Sequence, residues 1–524
     1  LHFAITKILG GFILYKLVKI VALGLLSCLI ITIFVTGCNR NSLGKGGKQV
    51  TLKWVLGGND YKDSEKVFEE YNKKLSEKMP NMKIEFDVIP YTDFAEKWKL
   101  MAASGEKVDL VWNGFVFPSY ESEIKKGSFL PLDDLLNKYA PELYKEFPQW
   151  VWDKAKCNGE IYSVPNYQSM ISMPTGIRTS KELSDKYLDY GKANEILQQS
   201  DIDPLRAQKE WVDYFETYLS KLKANGEIGK GVSKTFFSYS DLSKLIYEPI
   251  IANVSMNKKT GEIVNTLNLD ISNNQIELAR KWYEKGYIRQ DILGLQDWRS
   301  DEGKKGGYVL WGHEYFDGVE ESESIRYGFP VKVIKMFNSM YATHRPSATN
   351  TSIAKTCDEP QKAIEFLQLM NTEKGKELYN LLVFGIEGQH YNKVSDNRIE
   401  VLSKTGSVGS NSIYGLDKYV LGNTFYAYET QKDKSGYNKT MDELNKNAII
   451  SPLIGFNADI EAIKVEVSQY NTIVKEYEQL NTGALPNYKE LIEQRKNKLV
   501  TAGSDKIYEE VKKQVEEWRA KHKK

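Results

Sequence analysis

The stretch from Gln49 to Trp112, QVTLKWVLGGNDYKDSEKVFEEYNKKLSEKMPNMKIEFDVIPYTDFAEKWKLMAASGEKVDLVW, decides the fold. Gln49 to Leu56 reads as a strand, and Gly57-Gly58-Asn59-Asp60 is its exit turn. Lys62 to Met79 then sets Val67, Phe68, Tyr71, Leu75 and Met79 at helical spacing, until Pro80-Asn81 breaks the pattern. Met82 to Ile89 alternates through Ile84, Phe86 and Val88, Tyr91 to Ala103 returns to a helical period, and Val108 to Trp112 is a short apolar strand. Strand, helix, strand, helix, strand in so short a span is the signature of a parallel α/β layer.

Downstream, Gly127 to Leu135 starts a helix at its Pro131/Asp133 turn, and Asn158 to Pro165 reads as a hairpin turn leading into a strand. Asp213 to Leu222 and Ile276 to Lys285 have helical spacing, whereas Phe236 to Asp297 is otherwise poorly periodic. Ser347 to Ile353 fits a returning strand. Pro360 to Met370 and Glu373 to Leu381 are helices, the first with its proline where the missing N–H costs nothing. Three closing helices follow: Glu461 to Leu480, Asn487 to Leu499 and Ser504 to Lys521, separated by Gly483, Pro486 and Gly503. Their alternating charges suit solvated helix backs.

With 524 residues and 41% hydrophobic content, the chain has enough apolar material for more than one core. Lys and Arg number 71 against 70 acidic residues, a balance that argues against a nucleic-acid binder, which would carry a concentrated basic face. The start of the chain is different in kind. Lys7, Lys16 and Lys19 are its only charges, and Ile20 to Val35 is almost wholly apolar. Those sixteen residues would span about 24 Å as a helix, short of the roughly 30 Å of a hydrocarbon core. A basic region, an apolar run and small residues before a break describe a secretory signal over residues 1–37. A simple membrane anchor is the alternative reading.

At the break stands Val35-Thr36-Gly37-Cys38, which resembles the lipobox of bacterial lipoproteins. The resemblance implies cleavage before Cys38, acylation of its thiol, and a flexible linker over 38–49. Cleavage there removes three lysines and no acid, taking the net charge from +1 to −2. Two or three acyl chains make a lasting anchor where one does not. Besides Cys38, only Cys157 and Cys357 then remain, too few for a disulfide scaffold; one bridge or two buried thiols are the choices.

Beyond the leader, several segments resemble the extracellular solute-binding proteins of ABC importers, in particular large lipoproteins of oligosaccharide and polysaccharide uptake in Gram-positive bacteria. The segments are Tyr91 to Asp109, Gly127 to Leu136, Asn158 to Pro165, Pro360 to Tyr379, Gly385 to Tyr391 and Ser451 to Phe456. The resemblance implies a bilobal α/β fold, two hinged lobes around a central cleft with a helical C-terminal tail. Lobe one would take 50–165 and 343–385, lobe two 166–342 with part of 386–450, and 451–524 would pack across the lobes. It further implies an oligosaccharide ligand, ABC permease subunits as partners, a monomer tethered by lipid to the outer membrane face, and no cofactor. A peptide ligand is not excluded by the residues.

Sugars want flat aromatic rings beneath them and hydrogen-bonding side chains around them. In α/β layers the loops after strand ends line the crevice, which selects Asn59 and Asp60 after the first strand and Trp112 and Asn113 after the third. Further on, Trp298, Trp311 and His313 sit among glycines. Tyr341, His344 and Arg345 lie near the expected lobe crossing, and Tyr414-Gly415 with Gly422-Asn423-Thr424-Phe425-Tyr426 is another cleft-facing candidate, from which Asn423 is chosen. Replacing Trp112 or Trp311 by alanine is expected to weaken binding and leave folding intact. His390 has the context of a structural turn.

The sequence has no Gly-x-Ser-x-Gly, His-Glu-x-x-His, P-loop, Gly-x-Gly-x-x-Gly or EF-hand loop, and with His2 and His522 at its ends only three histidines remain for the body. No metal ligand set or catalytic group stands out. The expectation is a binding protein and not an enzyme. The alternatives are an anchored polysaccharide-processing enzyme, whose carboxylate pair spacing would not reveal, or a sensory or adhesion lipoprotein.

Overall fold

The computed structural model describes residues 49–114, 120–172, 175–228, 243–244, 246–294, 311–344, 347–402, 413–431 and 433–522. The leader and Cys38 lie outside the described residues, as do Trp298 and Arg345.

The chain opens with β1 (Val50–Gly57), α1 (Ser64–Lys78), β2 (Met82–Ile89), α2 (Tyr91–Ser104) and β3 (Leu110–Asn113). These are the five elements the periodicity predicts. Helix α1 buries Val67, Tyr71 and Leu75, one residue per turn, and the turn after it places Asn81 at φ 65°, a conformation Asn tolerates better than most. After four short helices between 120 and 155 come β4 (Val164–Pro165), β5 (Thr175–Ser180), α3 (Lys181–Tyr187), α4 (Tyr190–Ser200) and α5 (Pro204–Ala224). Helix α5 begins at an Asp203 cap and a proline, and buries Ala207, Trp211, Phe215, Tyr218 and Leu222 along one face.

Three short strands follow, β6 (Tyr247–Ile251), β7 (Val254–Asn257) and β8 (Ile263–Asn265), then α6 (Ile271–Glu284). Next are β9 (Trp311–Glu314), α7 (Val319–Tyr327), β10 (Val331–Lys335), β11 (Tyr341–Ala342), β12 (Asn350–Ile353), α8 (Pro360–Met370) and α9 (Lys376–Phe384). The chain closes with α10 (Tyr437–Lys446), β13 (Ile449–Ile450), α11 (Lys464–Glu476), α12 (Tyr488–Thr501) and α13 (Ser504–His522).

The main sheet has the order β2-β1-β3-β12-β4. Strands β1, β2 and β3 run parallel, and β12 returns antiparallel between β3 and β4. Its core, built on Trp54, Tyr71, Trp152, Phe366 and Tyr379, belongs to lobe one. Tyr414, Leu416, Val420, Leu421, Ala427 and Met441 pack into that same core. Lobe two has its own antiparallel sheet, β9-β5-β10, and a helical core around Trp211, Phe215, Tyr218 and Trp282. The two-lobed α/β architecture is therefore the one expected from the sequence.

The tail packs mainly on elements of the second lobe. Ile507, Val511 and Val515 close over Val254, Met256 and Ile263 of β7 and β8, while Tyr477, Leu480 and Ile492 cover Ile276 of α6. A Lys125–Asp459 ion pair at 3.0 Å touches lobe one.

Three segments cross between the lobes and are stitched edge to edge. Ser172 bridges Tyr341, and Tyr341 and Ala342 pair with Ile449 and Ile450. Beneath them Glu248 of β6, wholly buried, accepts hydrogen bonds from the His344 backbone N–H at 2.6 Å and the Ser451 hydroxyl at 2.6 Å, with the His344 Nδ1 at 2.5 Å. Burial alone would raise this carboxyl, but the hydrogen bonds from His344 and Ser451 outweigh it and hold it below its ordinary value. Lys258, lying 4.2 Å over the Tyr341 ring, is pushed down to about 8, burial outweighing the opposing pull of Glu248.

Candidate functional site between the lobes

A cavity of about 230 Å³ lies where the lobes meet. Gln168, Ser169 and Ile171 of a crossing segment form one wall, and Glu314 and Phe316 at the end of β9 form the wall from lobe two. Lobe one contributes Lys418, Tyr419, Thr424 and Phe425, with Tyr437, Asn438 and Met441 of α10. Two larger hollows exist, about 550 Å³ among the tail helices and about 360 Å³ against α5, but each is formed within one part of the molecule. Only a space shared by two hinged lobes changes shape when they move, so the smaller cavity is the better place for capture.

The side chains of this cavity are held by a preformed frame. Asp417 starts a tight turn over Lys418–Val420, its Oδ1 accepting the Tyr419 N–H at 3.0 Å and its Oδ2 the Tyr91 hydroxyl at 3.2 Å. The Lys418 carbonyl accepts from the Tyr379 hydroxyl at 2.7 Å, and the Tyr419 carbonyl from Asn166 Nδ2 at 3.2 Å and Thr349 Oγ1 at 2.5 Å. With its backbone fixed on several sides, Tyr419 is 43% exposed as a residue, the Lys418 ammonium lying 5.3 Å from its ring centroid. The next turn, Thr424–Tyr426, is capped by Asn423 Oδ1 on the Phe425 N–H at 3.0 Å and anchored by Thr424 on the Tyr167 carbonyl. Tyr437 has its hydroxyl pushed up to about 12, by burial first and then by Tyr419, Asp433 and Glu314, so it stays protonated as a donor. The result is aromatic rings interleaved with amide, hydroxyl, ammonium and carboxylate groups: a surface suited to rings bearing hydroxyls.

Of the residues selected from the sequence, Asn59, Asp60, Trp112, Asn113, Tyr341 and Asn423 are not among the described residues lining this cavity. Asn59 and Asp60 are exposed after β1. Trp112 is 6% exposed, its edge against Tyr91 and Phe94 at 5.5 and 4.9 Å between centroids, and it presses so closely on Gly57 that a Cβ there would lie 2.7 Å from the indole. It is a core residue. Asn113 is fully buried in β3 and donates to Ser352 Oγ at 2.9 Å. Tyr341 is 6% exposed in the crossing strand, its hydroxyl pushed up to about 12 by burial. Asn423 spends its side chain on the cap. Trp311 and His313 have backbones in β9, opposite Arg178 and Gly176; their side chains, like Trp298 and Arg345, lie outside what is described.

Glu314 and Phe316 of the cavity follow His313 in the chain, and Thr424 and Phe425 follow Asn423. Tyr419, Tyr437 and Gln168 were missed. The signal for Tyr419 was its position between Gly415 and Gly422, in the gap between the two stretches singled out from the sequence.

His390 is a turn residue: its Nδ1 accepts the Ile386 N–H at 2.8 Å and its Nε2 faces Asp63 at 3.1 Å. Cys157 and Cys357 are both free and buried, the latter thiol pushed up to about 12 by burial and by Asp109. Among the described residues no cluster of His, Cys, Asp and Glu is placed to hold a metal ion.

Comparison with known proteins adds to this geometry. The family model described as bacterial extracellular solute-binding protein matches residues 59–377, and one described as a domain of unknown function (DUF3502) matches 452–520, the tail. A carbohydrate ABC transporter substrate-binding protein of Streptococcus pneumoniae serotype 4 is 22% identical over 497 residues, covering 92% of this chain and 94% of that one. Among solved structures, the N-glycan transport solute binding protein from Streptococcus pneumoniae is similar with a TM-score of 0.70, at 20% identity over 90% of this chain and 100% of that one. An extracellular solute-binding protein from Bifidobacterium longum subsp. infantis is similar with a TM-score of 0.55, at 12% identity over 90% and 99%.

Proposed function

The chain belongs to the bacterial extracellular solute-binding proteins, and from that premise we propose that it captures an oligosaccharide outside the cell and passes it to the transmembrane subunits of an ABC importer. The observation that carries this reading is the cavity shared by both lobes, in which Phe316, Tyr419, Phe425 and Tyr437 are set among Gln168, Thr424 and Asn438. Rings supply stacking faces and the polar groups supply hydroxyl partners, so a sugar that mismatches leaves buried groups unpaired. The name of the pneumococcal relative, a carbohydrate substrate-binding protein, supports the same ligand class.

A solute-binding family is not a catalytic one, and among the described residues Glu314 is the one acidic group lining the cavity. The lipid tether at Cys38 belongs to this proposal as well. It would hold the receptor close to its permease and raise their encounter frequency.

Calorimetric and tryptophan-fluorescence titration of the purified protein against a panel of oligosaccharides and peptides tests the reading, with the ligand recovered and sized afterwards. Saturable binding of a saccharide recovered unchanged is expected. Binding of peptides alone, or shortened saccharide products, would contradict it.

A further inference from the structure

We infer that the cavity takes the terminal ring of its saccharide, so that the protein binds a chain by one end and not along its middle. This rests on reading the cavity as a sugar site. The observation behind it is a contact between the lobes that forms part of the cavity's own wall. Phe316, from the connection between β9 and α7, meets Tyr437 at the start of α10 with ring centroids 5.7 Å apart and planes at 74°. Both rings line the cavity.

The contact continues beyond the rings. Asp317 and Lys434 pair at 2.8 Å, and Gly318, at φ 89°, lies so close to the Lys434 stem that a Cβ there would come within 2.3 Å of its Cδ. Asp317 is 77% exposed, so the ion pair itself contributes little. Shape does more: an edge-to-face ring pair and a bare glycine backbone fitted against a lysine stem bring the two lobes together. A saccharide running straight through would have to part Phe316 from Tyr437. On another side the crossing segment, Gln168 to Ile171, is stitched to its neighbour through Ser172 and Tyr341 and blocks passage as well.

Size agrees with this. At about 230 Å³ the cavity falls below the roughly 300–1,000 Å³ of clefts that enclose a whole drug-sized ligand. One pyranose or furanose ring fits, and the rest of the chain must leave past an exposed edge. Tyr419, 43% exposed as a residue, stands at such an edge; the Lys418 ammonium lies 5.3 Å from its ring centroid, so the next sugar would stack on the opposite face with that ammonium beside it. The ligand class is then a linear or branched oligosaccharide with at least one unblocked terminus, its length set by surfaces outside the cavity.

The test is a glycan array in which linear glucans, mannans, fructans and N-glycans are each attached by the reducing end in one set and by the non-reducing end in another. For every glycan bound, one orientation should be preferred by at least about tenfold, the worth of one well-made contact. Equal binding in both orientations would overturn the inference while leaving the sugar reading intact. Binding to neither set would overturn both. The Phe316→Ala protein, checked for fold by circular dichroism, should lose the preference because the wall is opened. An undiminished preference in that variant would overturn the role given to the ring.

Discussion

Glu248 and His344 meet at 2.5 Å beneath the strands that join the lobes, and the same carboxylate also holds Ser451. One buried acid thus fastens two of the three crossing segments to β6, an edge strand of the sheet on which the tail helices pack. The carboxylate ties His344 and Ser451, and so the chain next to the paired Tyr341–Ala342 and Ile449–Ile450, to β6.

Removing one partner leaves the other buried without its mate. Glu248→Ala should therefore destabilise the protein by about 3–5 kcal/mol, a cost typical of breaking a buried pair. Denaturant unfolding would measure it, and a change below about 1 kcal/mol would mean that the clasp is replaceable by solvent.

The same carboxyl gives stability a pH dependence. Its folded pKa lies below the usual value because hydrogen bonds from His344 and Ser451 outweigh burial. Its contribution is complete above the unfolded value of about 4.3 and is lost as pH falls through the folded one. Thermal unfolding between pH 6 and 3 should show acid destabilisation of the wild-type protein, with a shallower dependence in Glu248→Gln. Identical slopes would remove Glu248 from the explanation.

Trp112 and Tyr419 should separate stability from binding. Trp112 is packed between Tyr91, Phe94 and Gly57, so Trp112→Ala should cost about 3–5 kcal/mol of stability, as large core truncations do. This replaces the sequence-based expectation that folding would be spared. Tyr419→Ala, at a residue 43% exposed, should leave unfolding nearly unchanged and weaken saccharide binding by about tenfold or more. Full affinity in Tyr419→Ala would take that ring out of the site.

The proposed lipid tether has its own consequence. Cys38→Ala should abolish incorporation of labelled fatty acid and release the protein into the medium, because no acyl chain remains to hold it. Retention of the variant on the membrane would favour an uncleaved apolar leader as the anchor.

Much of lobe one was legible because its elements are long and regular. Met82 to Ile89 is a strand at the expected bounds, and Pro360 to Met370 a helix at both expected ends, since period and proline are local signals. The strands β6 to β8 were not legible. They are three to five residues long, and their order comes from distant partners: Asn253 of their turn donates to Asn265 and to the Ser504 carbonyl. The candidate site was half legible for a similar reason. Glycine-rich segments disclosed where the chain turns toward the cleft, but which side chain faces it depends on contacts made across the sequence. Asn423 turns inward to cap its own helical turn, and Tyr419 is left outward because Asn166 and Thr349 hold its carbonyl.

Hydrogen–deuterium exchange with and without a saturating oligosaccharide tests the central claim most directly, that ligand is held by both lobes at once. Protection is predicted together at 167–171, 314–319, 417–426 and 437–441. Protection confined to one lobe, or to the groove among the tail helices, would contradict it.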